Sequence, residues 1–193
     1  MTEPPKAEVI IAGHPIILEG FEFHPHREGI KWFKDELARA KEVWCLWIAA
    51  GTALNNKVLD IRSIKRVVLA SPNEKVMIDK IAEGVSETSK RVIDSIESVT
   101  TSAKPKGIEV RWWEGLSCNI MVFGNPNDID AWVMLDLVLP TLSDEQRPVV
   151  RIWKSRMPEL YKNLLSVYNE IWDKSDKTLE IRPPTPDKEG SQT

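Results

Sequence analysis

Cysteine is scarce in this chain of 193 residues: Cys45 and Cys118, each set inside an apolar run, are the only two. That excludes a disulfide framework and any Cys-x-x-Cys zinc or redox pair, and it makes buried free thiols the expectation. Long apolar stretches are missing as well, since none approaches the roughly 18 uninterrupted residues that a bilayer-spanning helix needs. The start, Met1 to Glu8, carries acids and prolines where a secretory leader would carry a basic patch and an apolar core. A cytoplasmic protein without a membrane span is therefore expected. Excess charge of one sign is also lacking. The formal net charge is -3 and the isoelectric point about 5.7, which removes the usual footprint of a general nucleic-acid binder and leaves nucleic acid disfavoured as a partner. No Gly-x-Gly-x-x-Gly, Walker loop or His-Glu-x-x-His occurs. Dinucleotide, P-loop and common zinc chemistry thus have no support, and no cofactor is implied.

What is present describes a globular protein: 42% hydrophobic and 28% charged residues, with a mean hydropathy of -0.28, in a length that suits one domain. Residues 1–27 form an N-terminal extension, 28–175 an α/β domain, and 176–193 a flexible tail. The tail expectation rests on three prolines, one glycine and few apolar residues from Thr178 onward. Within the extension, Val9 to Ala12 and Ile16 to Leu18 read as short strands about a turn at Gly13 to Pro15.

Inside the domain, Ile30, Phe33, Leu37 and Ala40 recur at helical spacing. Val43 to Ala49 and Arg66 to Ala70 are solid apolar runs, as expected of strands covered on both faces, with a short helical stretch around Thr52 to Arg62 between them. Glu74 to Ser102 keeps one apolar stripe and predicts one long helix, or two broken near Gly84. Three strands follow, Ile108 to Trp113, Asn119 to Phe123 and Ala131 to Leu139, and their short separations predict antiparallel neighbours. A strand at Val149 to Trp153 and a helix from Pro158 close the domain. The fold class is α/β: a mixed, largely central β-sheet with helices on both faces.

Candidate chemistry is thin. Gly115, Ser117 and Asn119 stand one glycine short of a nucleophile elbow, and the expected continuation is a strand where that motif needs a helix. His24 and His26 are the densest imidazole pair, with Glu22 and Glu28 as nearest potential co-ligands; a polar loop explains them without a metal, and no metal site is assigned. Most of the eight tryptophans fall at core positions, and only Arg111 beside Trp112 and Trp113 hints at a base-stacking platform. Lys65, Arg66, Arg147, Arg151, Lys154 and Arg156 are the candidates for a local anion patch, with a solvated face as the plainer reading.

Several stretches resemble the phospholipase D superfamily. Glu36 through Ile48 is similar to that family's opening helix and strand, Lys65 through Pro72 to its second strand, and Gly107 through Trp112 to the strand before its catalytic motif. Arg151 through Lys154 and Leu160 through Trp172 resemble the closing strand and an aromatic-ended helix. The family's chemistry is carried by a His, a Lys two residues on, and an Asp after four more residues. Laid on this chain, the motif falls on Ser117, Asn119 and Gly124, and none of the three matches. Asparagine brings no positive charge to a phosphate, and nothing near Ser117 offers the base a serine nucleophile requires.

The resemblance therefore implies a catalytically inactive, phospholipase D-like domain. Its candidate pocket, Ser117, Asn119, Gly124 and Asn125, would hydrogen-bond a small-molecule or phosphate-containing ligand in a sensing or regulatory role. The resemblance also implies a homodimer across the old active-site face. The alternative is a phosphodiesterase or nuclease using non-standard residues, with His24 and His26 folded over the pocket.

Overall fold

The computed structural model describes residues 16–18, 21–24, 30–49, 51, 55, 57–84, 87–115, 119–137 and 147–179. Its centre is an eight-stranded mixed sheet. In chain order the strands are β1 (Ile16–Leu18), β2 (Phe21–His24), β3 (Val43–Leu46), β4 (Ile64–Ala70), β5 (Glu109–Trp113), β6 (Asn119–Gly124), β7 (Trp132–Leu137) and β8 (Val149–Trp153). In space they run β1-β2-β8-β7-β6-β3-β4-β5. β3, β4 and β5 are parallel to one another, and every other pairing is antiparallel.

Alternation along the strands sorts side chains to two layers. Val43, Cys45, Val67, Leu69, Val110, Trp112, Val122 and Met134 meet helices α1 (Ile30–Arg39), α2 (Lys75–Gly84) and α3 (Ser89–Ala103), which contribute Leu37, Ile78, Ile96 and Val99. Trp44, Leu46, Val68, Phe123, Val133 and Ile152 meet a single helix, α4 (Pro158–Lys174), through Tyr161, Tyr168 and Trp172. The expected class, a mixed α/β sheet with helices on both faces, is the observed one.

Local chemistry explains the boundaries. Thr88 caps α3 by accepting from the Arg91 N–H at 3.3 Å. A 3-10 turn at Lys104–Lys106 then ends in Gly107 at φ 69, a left-handed position suited to glycine. Pro158 opens α4, where its missing N–H costs nothing. The segment from Glu74 to Ser102 is two helices: α2 stops at Gly84 and the chain restarts at Thr88. In the Thr52 to Arg62 stretch Asn55 is helical, as is Gly51 just before it, and a 3-10 turn follows at Val58–Asp60; residues 52–54 and 56 lie outside the described set.

Three expectations need correction. β5 and β6 do not pair: β5 is the sheet edge beside β4, while β6 sits beyond β3. β3 and β4 stand between them in the sheet, so a short separation in sequence did not mean adjacency. Ile16 to Leu18 pairs with β2, and β2 with β8, so part of the extension drawn at 1–27 belongs to the sheet; Val9 to Ala12 lies outside the described residues. Asp176, assigned to the tail, forms a two-way backbone bridge with Trp112, N to O at 2.8 and 3.0 Å; residues 180–193 lie outside the described residues.

Candidate functional site

In sheets with parallel strands, ligands bind at the carboxyl ends, where the order of strands changes direction. Here that place is the carboxyl ends of β3, β4 and β5, with β6 entering antiparallel beside β3 and Asn119 as its first residue, opposite Leu137. Indoles occupy the crevice. Trp47 is 5% exposed and, with Trp113, Met77, Ile81, Ala70 and Gly115, leaves a cavity of about 10 Å³, room for no more than one water. A Cβ on Gly115 would stand 2.3 Å from the Trp113 ring, so glycine is what lets the indole lie there. The Ser71 N–H donates to the Trp113 carbonyl at 2.8 Å and draws the loop after β4 over the same spot.

The four candidate pocket residues are not brought together. Ser117 lies outside the described residues. Asn119 starts β6, and Gly124 ends it, opposite Val43 and Trp132, roughly 17 Å away at about 3.3 Å per residue. A Cβ on Gly124 would meet the Trp132 indole at 2.2 Å, so position 124 has no room for the family's carboxylate. Asn125, at φ 51, holds the start of β3: its Oδ1 accepts from the Lys41 N–H at 2.7 Å, and its own N–H donates to the Glu42 carbonyl at 2.8 Å. Asparagine tolerates that left-handed backbone, and its amide is already committed to structure.

His24 closes β2 opposite Val149; His26 and Glu28 lie outside the described residues. Its Nε2 stands 3.4 Å from Glu22 Oε1. Glu22 also meets Arg151 Nη1 at 3.3 Å, and Arg151 Nη2 meets Glu36 of α1 at 3.0 Å. Arg151 is 5% exposed and lies over Trp132 and Trp153. It ties the N-terminal hairpin and α1 to β8. Asp136 and Arg147 are equally buried on the neighbouring strand and loop, Asp136 facing Val149 in register. Among the described residues no group of three His, Cys, Asp or Glu is placed to hold a metal ion.

Residue-type reading missed this network, although it left a signal: Asp136 and Arg151 are lone charges inside otherwise apolar strands. Arg111, two residues after Glu109 in β5, is a third buried charge. Its guanidinium stacks 3.9 Å over Trp172, donates to the Trp172 carbonyl at 2.6 Å and pairs with Glu109 at 2.7 Å. Arg66 lies 4.2 Å over Trp44 and 5.0 Å over Trp172, beside the stacked rings of Trp44 and Tyr168. Arg111 and Trp112 are thus consumed by packing and offer no base-stacking platform. The proposed anion patch disperses too, because Arg66, Arg147 and Arg151 turn inward while Lys65 faces out. Burial pushes the Cys45 thiol and the Tyr168 hydroxyl well above their ordinary values, so neither is poised as a nucleophile.

At the opposite, amino ends of β3 and β4 the surface is concave. An open depression of about 470 Å³ is lined by Ala38, Ala40, Lys41, Asp60, Ile61, Arg62 and Ser63, a volume in the range of ligand clefts. Ser63 fixes one wall by donating to the Leu37 carbonyl at 2.6 Å. Lys41 pairs with Asp128 at 2.8 Å, and Lys106 pairs with Asp60.

No family model matches the sequence, and no curated protein matches it. Solved structures similar to the chain include Nuc, a phospholipase D family member from Salmonella typhimurium, at 12% identity and a TM-score of 0.49 over 80% of this chain and 93% of that one. Phosphatidylserine synthase from Haemophilus influenzae Rd KW20 is similar at 10% identity and 0.49, over 83% of this chain and 41% of that one. TrmBL2, an archaeal chromatin protein, is similar at 20% identity and 0.45, over 92% of this chain and 57% of that one.

Proposed function

We propose that this chain is a catalytically inactive phospholipase D-like domain, working in the cytoplasm as a homodimeric binding or regulatory module. The observation that carries the reading is Gly124 beneath the Trp132 indole: with Ser117 and Asn119 it leaves all three positions of the resembled motif without their chemistry, and a side chain at 124 would have to displace the indole. The filled crevice at the carboxyl ends of β3, β4 and β5 agrees with it. No helix among the described residues is long and apolar enough to cross a membrane. A second copy finds support in α4, where Leu160 and Val167 are 40% and 44% exposed on one side of the helix, flanked by half-buried Leu164 and Ile171.

The test is turnover of a chromogenic phosphodiester without added metal, comparing the wild-type chain with Ser117→Ala/Asn119→Ala. Neither protein is expected to turn over; activity present in the first and lost in the second overturns the reading. A second reading, phosphodiester cleavage by His24, is favoured by one contact, the Glu22 carboxylate that can orient the imidazole at 3.4 Å. It requires turnover that His24→Ala abolishes and Ser117→Ala leaves intact.

A further inference from the structure

We propose that the amino-terminal edge of β3, β4 and β5 is a docking surface for the phosphate backbone of a nucleic acid. The inference goes beyond the inactive-module reading and does not depend on it, since it concerns the opposite end of the strands.

Three parallel strands begin side by side, and each is preceded by a cation: Lys41 two residues before β3, Arg62 two before β4 and Lys106 three before β5. Strands in register lie about 4.8 Å apart, so these residues form a row roughly 10 Å long across the edge. A nucleic acid strand offers one charge per roughly 3.4 Å of axis, a spacing that such a row can follow. The row borders the 470 Å³ depression, which Lys41 and Arg62 line directly.

Acids share this edge: Glu42 precedes β3, Glu109 opens β5, Asp128 and Asp130 act on Lys41, and Asp60 lines the recess. The Asp60 carboxyl is held below its ordinary range, first by the hydrogen bond from Lys106 and then by the charges of Lys106, Lys57 and Lys34. Three lysines from three separate elements therefore surround one exposed acid. Asp128 is likewise taken up by Lys41. Lys34, Lys57 and Arg62 form no close ion pair among the described residues, and in the lining of the recess two cations, Lys41 and Arg62, stand against one acid, Asp60. The net charge of -3 is an average over the chain and does not fix the sign of one edge.

A membrane surface fits this edge less well. Binding to lipid combines cations with inserted apolar side chains, and the exposed large apolar residue on this edge, Ile129 at 86% exposure, is bracketed by Asp128 and Asp130, which repel anionic headgroups. A linear polyanion can engage Lys57, Arg62 and Lys106 and meets that turn only at Lys41, whose ammonium holds Asp128.

The experiment is fluorescence anisotropy with labelled DNA of about 20 nucleotides, single-stranded and duplex, across about 50 to 200 mM salt. Wild-type protein is expected to bind with affinity falling steeply as salt rises. Lys57→Asn/Arg62→Gln should bind about tenfold more weakly, with the log-log salt slope reduced by about 2. Asparagine suits Lys57, whose φ is 55, and both side chains are exposed, so the variant should keep the wild-type melting temperature. A control, Lys80→Gln/Lys90→Gln on exposed positions of α2 and α3, should bind within about twofold of wild type. Absence of wild-type binding at low salt overturns the proposal. So does equal binding by the edge variant, or co-sedimentation with phosphatidylserine vesicles without any DNA binding. Phosphodiester turnover, measured separately, decides the inactive-module reading whatever these results are.

Discussion

The two ends of the parallel strands differ in what their side chains are used for. At the carboxyl ends, Trp47 and Trp113 fill the crevice where such sheets usually bind, leaving about 10 Å³. At the amino ends, small residues (Ala38, Ala40 and Ser63) floor an open recess of about 470 Å³ with cations on its rim. Large apolar side chains convert a crevice into core. Small residues ringed by charge leave it accessible. The contrast implies that changes at the closed end alter stability and leave binding alone, while changes at the open end do the reverse.

The largest expected effect is at the closed end. Trp47→Ala removes a side chain 5% exposed and should cost about 3–5 kcal/mol, read as a fall in the denaturation midpoint. DNA affinity measured well below the melting temperature should not move; an equal loss of affinity would merge the two ends into one functional unit. Gly115→Ala is next. Its Cβ would overlap the Trp113 ring at 2.3 Å, and displacing a half-buried indole should cost about 1–3 kcal/mol. If the indole swings out without loss of stability, the crevice is a closable pocket, and a new ligand-induced thermal shift in this variant would show it.

The smallest effect on stability is at the open end. The Asp60 carboxyl is lowered chiefly by its hydrogen bond from Lys106. A depressed folded-state value stabilises above the unfolded pKa, near 4, and that contribution disappears as pH falls through the folded value. Full exposure and salt screening keep it small. Asp60→Asn should thus leave the melting temperature below about pH 3 unchanged and lower it only slightly at neutral pH. In the same variant DNA should bind a few-fold more tightly, because one negative charge has left the row; weaker binding would count against the row.

Much of the element order was legible. The runs beginning at Val43, Arg66 and Val149 are strands because continuous apolar side chains serve a sheet covered on both faces. Spatial order was not legible. Five residues between β5 and β6 look like a hairpin loop in the sequence, yet two strands stand between β5 and β6 in the sheet, and nothing local marks the difference. The same blindness to long-range pairing put residues 16–24 outside the domain. Within the candidate pocket the spacing from Asn119 to Gly124 is one strand length, so the two residues sit at opposite ends of β6, while Ser117 lies outside the described residues. Asp136 and Arg151 were visible as lone charges in apolar strands, and Arg111 as a charge two residues after Glu109. Arg151 reaches Glu22 and Glu36, far away in sequence, whereas Arg111 pairs with Glu109 of its own strand.

The pairing of β2 with β8 also sets a timetable. Glu22 and Arg151 are 129 positions apart, and a ribosome adding about 5–20 residues per second makes the first wait on the order of ten seconds for the second. Throughout that interval β2 lacks the strand it will pair with, and the ion pair that ties the hairpin to β8 can form only once Arg151 has been synthesised.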